Sequence, residues 1–173
     1  ALALSLTRKD GSSHLLAGEI PGVLGAVAAL VKVAPGHQVA LASALGAAAD
    51  AVAVASPADA AVALAHLKSA DGGRAGMLVG GAATRTAEPR AALPSGARWA
   101  SDLVETPASL GGAVHRLLAD VVVVESLEDA RRLVAEQPDL RAVTRDGDLL
   151  GRDWAVGGSA SAPSLLEVQA AVD

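Results

Sequence analysis

Short runs of Val and Ala alternate along the chain with longer stretches of helical character. Two of the short runs, AVAVAS at 51–56 and VVVVES at 121–126, end at a serine that is followed three residues later by an aspartate. A serine at this position typically caps a helix, because its side-chain oxygen accepts a hydrogen bond from the third helical residue. Each run is therefore predicted to be a strand that leads directly into a helix.

The two runs belong to an internal repeat. Residues 49–60, ADAVAVASPADA, align with residues 119–130, ADVVVVESLEDA, at a constant offset of 120 − 50 = 70 residues. The helices predicted after the two runs are at 57–70 and 127–137. A second strand is predicted after each helix, at 74–79 and 140–145, and a helix is predicted before each run, near 36–47 and 107–118. The pattern predicts two similar halves of α/β (α+β) type.

Three segments outside the repeat complete the predicted architecture. The sequence DGD at 146–148 lies between apolar runs, which is typical of a β-hairpin turn. Residues 80–99, rich in Gly, Pro and Arg, are predicted to be a connection with little regular structure. At the ends, Leu2 and Leu6 have helical spacing, and Leu165, Val168 and Val172 have the three-then-four spacing of one coiled-coil heptad, although an ordinary amphipathic helix has the same spacing.

Composition narrows the class of protein. Apolar residues make up 51% of 173 residues, cysteine is absent, and the net charge is −5. The longest apolar run, at 21–31, is far shorter than the roughly 20 residues of a membrane helix, and no signal peptide is recognised. We therefore expect a cytoplasmic protein without disulfides, which binds nucleic acid only through a local basic patch.

Candidate chemistry is sparse. Nucleotide-binding glycine signatures are absent, and the four histidines show no spacing typical of a metal or catalytic pair. Asp146 and Asp148 could bind a cation or, with His115, form a small-molecule or enzymatic site at the strand ends, but the Asp-Gly turn explains them more simply.

A local basic stretch and a glycine pair each allow two interpretations. Arg85, Arg90 and Arg98, with Trp99 beside the last, could hold a phosphate backbone while a base stacks, or could be a solvated loop anchored by one tryptophan. The pair Gly157-Gly158 could be an ordinary turn or a place where another backbone approaches closely.

Four segments in order resemble one known family. They are PGVLGAVAALVKVAPGHQVALASALGAAADAVAV (21–54), HLKSADGGRAGML (66–78), ADVVVVESLEDA (119–130) and VTRDGDLLGRDWAVGGS (143–159). Together they are similar to the hinge domain of bacterial structural maintenance of chromosomes (SMC) proteins, most of all the actinobacterial branch. The resemblance extends from about Gly22 to Ser159.

The resemblance implies a non-catalytic homodimerisation hinge for chromosome condensation and segregation, associated with the nucleoid. Such a hinge joins two coiled-coil arms in a ring-shaped homodimer, with ATP bound only by distant head domains and no cofactor in the hinge. The implied division is an N-terminal coiled-coil end at 1–18, subdomains at 19–80 and 107–162 that form a half ring, a connecting loop at 81–106, and the start of a C-terminal coiled coil at 163–173.

The family's C-terminal motif, PGG followed by two residues and GG, lies at the dimer contact. Gly157 and Gly158 match the second pair, whereas Arg152 and Asp153 stand where the first pair is expected. We therefore expect the interface to include two groups of residues: Trp154, Val156, Gly157 and Gly158, and, opposite them, Arg74, Ala75, Gly76 and Met77. Trp154 is expected to fill space that smaller residues leave in relatives.

The resemblance also implies weak, salt-dependent contact with DNA. The candidate contacts are Lys32, Arg74, Arg85, Arg90 and Arg98.

Overall fold

A computed structural model describes residues 11–82 and 90–159 together with residues 166 and 169. The α-helices of this part of the chain are Gly11–Ala17 (α1), Val27–Leu30 (α2), Gln38–Leu45 (α3), Pro57–Ser69 (α4), Ala108–Leu118 (α5) and Leu127–Glu136 (α6). Two 3₁₀ helices cover Gly46–Asp50 and Ala100–Leu103.

The strands are Val23–Ala26 (β1), Lys32–Val33 (β2), Val52–Val54 (β3), Met77–Val79 (β4), Arg98–Trp99 (β5), Val104–Glu105 (β6), Val121–Val124 (β7), Arg141–Thr144 (β8), Leu149–Leu150 (β9) and Ala155–Val156 (β10). They form sheets of order β1-β3-β4, β10-β9-β8-β7-β5 and β2-β6.

Both predicted strand–helix–strand units are confirmed. β3 runs parallel to β4 and β7 runs parallel to β8, with α4 and α6 as the crossover helices. Ser56 and Ser126 cap these helices, since their hydroxyl oxygens accept hydrogen bonds from the amides of Asp59 and Asp129 at 3.2 and 3.1 Å. The predicted Asp-Gly hairpin is also present, with β8 antiparallel to β9.

The repeat extends further toward the N-terminus than the sequence alignment shows. β1 pairs antiparallel with β3 through Gly25 and Ala53, and β5 pairs in the same way with β7 through Arg98 and Val123. Each first strand is followed by one short helix and one short strand, β2 or β6. The stretch expected to be an irregular connection therefore contains β5, which supplies the counterpart of β1.

The two halves meet at the β2–β6 ladder, where Lys32 lies opposite Glu105. Their numbers differ by 105 − 32 = 73, the same offset as 98 − 25 = 73 between β1 and β5. Lys32 and Glu105 therefore occupy the same position in the two copies of the repeat, and they pair with each other. This is the register expected where a local two-fold axis relates two halves of one chain.

The helices that precede the repeated strands are exchanged between the halves. α3 of the first half packs on β8 of the second, and α5 of the second packs on β4 of the first. The Ser43 hydroxyl on α3 donates a hydrogen bond to the carbonyl oxygen of Gly147 at 2.6 Å. Because Leu41, Leu110 and Val121 share one buried cluster, the halves depend on a common core.

The Val-rich composition of β7 follows from this arrangement. Val121 and Val123 face the shared core, whereas Val122 and Val124 face a second cluster beneath α6. A strand of a sheet that is covered on both faces is apolar at consecutive positions, rather than at alternate ones.

The predicted coiled-coil positions Leu2, Leu6, Leu165, Val168 and Val172 lie outside the described residues. Near the C-terminus Leu166 is helical, 3% exposed and part of the shared core.

Candidate interaction surface

Strand β10 ends the five-stranded sheet. It pairs with β9 through Ala155–Leu150 and Val156–Leu149, and no strand among the described residues pairs with its outer edge. Its side chains are exposed, with Val156 at 49% and the preceding Trp154 at 68%. Apolar side chains beside unpaired backbone groups are typical of an edge that another strand covers.

Trp154 contributes little to the interior of the protomer. Its carbonyl oxygen accepts a hydrogen bond from the Gly151 amide at 2.9 Å, which closes the turn between β9 and β10, while its indole is directed largely to solvent. This tryptophan is therefore not explained by the core of one chain.

The two glycines after β10 have different environments. A Cβ on Gly157 would overlap the carboxylate of Asp148, so this position requires glycine within the protomer. A Cβ on Gly158 would meet nothing within 4 Å, although its φ of 112° still favours glycine. Gly158 also donates its amide hydrogen to Asp148 Oδ1 at 2.8 Å.

Arg152 and Asp153, which stand where the first glycine pair of the family motif was expected, are both exposed. The Arg152 guanidinium lies 3.4 Å from a carboxylate oxygen of Asp139 and 3.5 Å from one of Asp153. Ion pairs of this kind at an exposed site contribute little stability. They do place charged side chains next to the apolar edge.

The second expected group of residues lies at the outer edge of the three-stranded sheet, where β4 is the last strand. Arg74 and Gly76 are exposed, whereas Ala75 and Met77 are half-buried against the cluster beneath α1 and α4. β4 and β10 thus end two different sheets of one protomer.

The candidate basic residues of the described structure lie on different elements of the fold. Lys32 is on β2 opposite Glu105, Arg98 is exposed on β5, and Arg74 lies before β4. Arg85 lies outside the described residues.

Arg90 is engaged by neighbouring side chains. Its guanidinium lies 3.1 Å from Asp102 Oδ2 and 5.3 Å from the centre of the Trp99 ring. Trp99 itself packs against the cluster beneath α6. This contact supports the interpretation of Trp99 as an anchor for the loop.

His37 is a buried polar side chain that the sequence did not single out. It is 4% exposed, it occupies the N-cap of α3, and its Nδ1 has no hydrogen-bond partner among the described residues. Burial, reinforced by the positive charges of Arg145 and Arg98, lowers the pKa of His37 below its ordinary value of 6.5.

Among the residues of the alternative, enzymatic interpretation, Asp148 is used by the turn, whereas His115 lies on α5. Thr144 Oγ1 accepts a hydrogen bond from the amide of Asp148 at 3.1 Å, and the Asp148 carboxylate accepts one from Gly158. No group of three or more potential metal ligands occurs in the part of the chain that the structure describes.

Taken together, these features define a class of protein: a duplicated α/β domain with one sheet edge that carries the exposed apolar residues Trp154 and Val156, which is typical of an interaction module. The family model described as SMC proteins flexible hinge domain matches residues 20–134. This chain belongs to the SMC hinge family, and an enzymatic site near Asp146, Asp148 and His115 is not supported.

Relatives agree with this assignment. The chromosome partition proteins Smc of Mycolicibacterium paratuberculosis and Mycobacterium tuberculosis are 47% and 48% identical over 100% of this chain, which covers only 14% and 15% of their lengths. The predicted similarity to the actinobacterial branch fits these relatives.

Solved structures agree as well. An asymmetric dimer of the Geobacillus stearothermophilus SMC hinge domain has a TM-score of 0.75 at 28% identity, covering 99% of this chain and 78% of that one. The Pyrococcus furiosus SMC hinge domain has a TM-score of 0.70 at 29% identity, covering 91% of this chain and 84% of that one.

In the described residues, no helix combines the length and apolar character needed to cross a membrane.

Proposed function

We propose that this chain is the homodimerisation hinge of a chromosome partition protein, and that β10 of one copy lies beside β4 of the other. The exposed edge at Trp154 and Val156 carries the proposal. A second copy would pair the free backbone groups of this edge and remove both apolar side chains from water, which is favourable by about 25 cal/mol per Å² of apolar surface.

The position of the two edges supports a ring. β4 and β10 end different sheets, so each copy would offer two unlike edges, and a two-fold axis would generate the same contact twice. Once one contact has formed, the second closes within the complex at an effective concentration on the order of millimolar. The dimer is therefore expected to persist at high dilution.

The wider role extends beyond this chain. Subdomains at 19–80 and 107–162, the second together with β5 and β6 from the joining stretch 81–106, would form the half ring, while 1–18 and 163–173 would continue into two coiled-coil arms. The hinge would carry no catalytic activity, and ATP would act only at head domains elsewhere in the full-length protein. This role places the protein on the nucleoid in the cytoplasm, and the DNA contacts are a further part of the proposal.

Cross-linking tests the proposed pairing, because the chain contains no cysteine of its own. A tagged chain carrying Val156→Cys is mixed with an untagged chain carrying Met77→Cys and treated with a short bismaleimide. We expect a covalent heterodimer of one tagged and one untagged chain. The control pair replaces Met77→Cys by Val62→Cys on α4, where we expect no cross-link above background.

Two outcomes would contradict the proposal in different ways. If Val156→Cys chains cross-link mainly to each other, the hinge dimerises but β10 pairs with β10. If Val156→Cys cross-links neither to Met77→Cys nor to a second Val156→Cys chain above the control level, and the mixture sediments as a monomer, the proposal of homodimerisation is wrong.

A further inference from the structure

The first described helix, α1, lies outside the segment matched by the family model and is bound to α4 by a pair of histidines. The Nε2 atoms of His14 on α1 and His66 on α4 lie 3.1 Å apart, although the residues are 52 positions apart in sequence. Their ring centres are 5.1 Å apart and the rings are inclined by 40°. Sequence spacing gave no indication of this pair.

The Nε2 atoms by which the two rings face each other are nitrogens of the kind that commonly binds metals. In the hydrogen bond, one Nε2 donates its proton and the other accepts it, so the pair holds a single proton between two nitrogens. A zinc ion binds imidazole nitrogen at about 2.0–2.1 Å, which places two nitrogens on a tetrahedral ion roughly 3.3 Å apart. The observed separation therefore requires little movement of either ring.

The backbone around the pair is fixed on both sides. Leu15, the residue after His14, is fully buried against the cluster that contains Leu67. At the start of α1 the Gly11 amide donates a hydrogen bond to the Arg74 carbonyl oxygen at 3.0 Å. Ligands held on packed helices lose little freedom when an ion binds.

Gly72 provides the space that the His14 ring occupies. A Cβ on this buried glycine would lie 3.0 Å from two atoms of the ring. Gly72 therefore leaves room for a side chain of its own protomer. Both histidines are half-buried, so solvent and a small ion can reach them.

We propose that His14 and His66 form a two-histidine site for a divalent transition-metal ion of borderline softness, with Zn²⁺ as the representative. Imidazole suits this class of ion; when the ion binds, the donor ring releases its Nε2 proton to water and takes one up at Nδ1, so that both neutral rings present the Nε2 lone pair to the metal. No third His, Cys, Asp or Glu completes a ligand set among the described residues, so water fills the remaining positions and the ion exchanges reversibly. Binding fastens α1, the helix that precedes the family-matched segment, onto α4.

Calorimetric titration of the 173-residue chain with ZnCl₂, in a buffer that does not bind zinc, tests the site. We expect one ion per chain for the wild type and an affinity lower by more than about tenfold for His14→Gln and for His66→Gln. His115→Gln, on the half-exposed face of α5, is the matched control and should bind as the wild type does.

Two measurements on the folded wild type make the result independent of the variants. Zinc should shift the imidazole ¹⁵N resonances of His14 and His66 while leaving those of His37 and His115 unchanged, and it should slow amide hydrogen exchange in α1. The proposal is wrong if the two resonances do not move, or if both glutamine variants bind zinc as tightly as the wild type.

Discussion

Gly158 donates its amide hydrogen to the carboxylate of Asp148 at 2.8 Å, which ties the end of β10 to the turn between β8 and β9. The same carboxylate occupies the space into which a Cβ on Gly157 would project. Asp148 therefore determines the path by which the chain leaves the sheet edge. The glycine pair and the aspartate of the DGD turn act as one structural unit.

Asp148→Ala should remove this tie. We expect a loss of about 1 kcal/mol in the free energy of unfolding, because one hydrogen bond to a partly exposed carboxylate is lost, together with a weaker dimer. Urea unfolding and sedimentation equilibrium measure the two effects. Asp146→Ala, an exposed change in the same turn, is the control; equal dimer affinity for the two variants would show that Asp148 does not position β10.

Ser56 and Ser126 should contribute similarly to stability, because they cap corresponding helices. Replacing either serine by alanine leaves a helix amide without its partner, and we expect each change to cost about 1 kcal/mol of unfolding free energy. Thermal or urea unfolding measures the loss. Ser109→Ala, exposed in the first turn of α5 and not an N-cap, should cost nothing, and a similar loss there would refute the capping argument.

The sequence predicts those parts of the fold in which local chemistry repeats. A serine cap after a valine run identified α4 and α6 and the strands on either side of them. The match between β1 and β5 was not visible, because VLGA and RW share no residue pattern and a two-residue strand shows no periodicity. The exchange of α3 and α5 between the halves arises from tertiary packing alone.

The candidate surface was predicted only in part. The exposure of Trp154 and Val156 agrees with an interaction edge, but the requirement for Gly157 arises from Asp148, for which the sequence predicts only a turn or an enzymatic site. The two histidines of the proposed metal site come together through the docking of α1 on α4, and their positions in the sequence do not indicate it.

Lowering the pH should destabilise the fold through His37. The folded-state pKa of His37 is lowered, so the folded state favours the neutral ring. The contribution of His37 to the free energy of unfolding is therefore fully present above about pH 6.5, and it falls as the pH drops from there toward the folded-state pKa. Urea unfolding between about pH 7.5 and 5.5 measures the slope. His37→Asn, a neutral N-cap, should reduce the slope; equal slopes for His37→Asn and the wild type would contradict this assignment.

DNA binding should be weak and should disappear in moderate salt. The net charge is −5, and the candidate cations are few and lie on different elements, so few phosphates are neutralised. Filter binding of a labelled duplex at about 50 and about 200 mM salt compares the two conditions. Arg98→Ala should weaken binding at low salt more than Arg131→Ala, whose guanidinium is paired with Glu128. Tight binding at the higher salt would show an extended basic surface.

Sedimentation equilibrium of Val156→Glu tests the central claim, that β10 is an edge of a homodimer. Val62→Glu is the matched control, because Val62 on α4 is 52% exposed and Val156 is 49% exposed. Burying an unpaired carboxylate should cost about 3 kcal/mol at each contact, and because the contact occurs twice, association should weaken by about 6 kcal/mol, roughly ten-thousandfold. We predict that the wild type and Val62→Glu sediment as dimers and Val156→Glu as a monomer with unchanged circular dichroism; a dimeric Val156→Glu, or a monomeric wild type, would contradict the account.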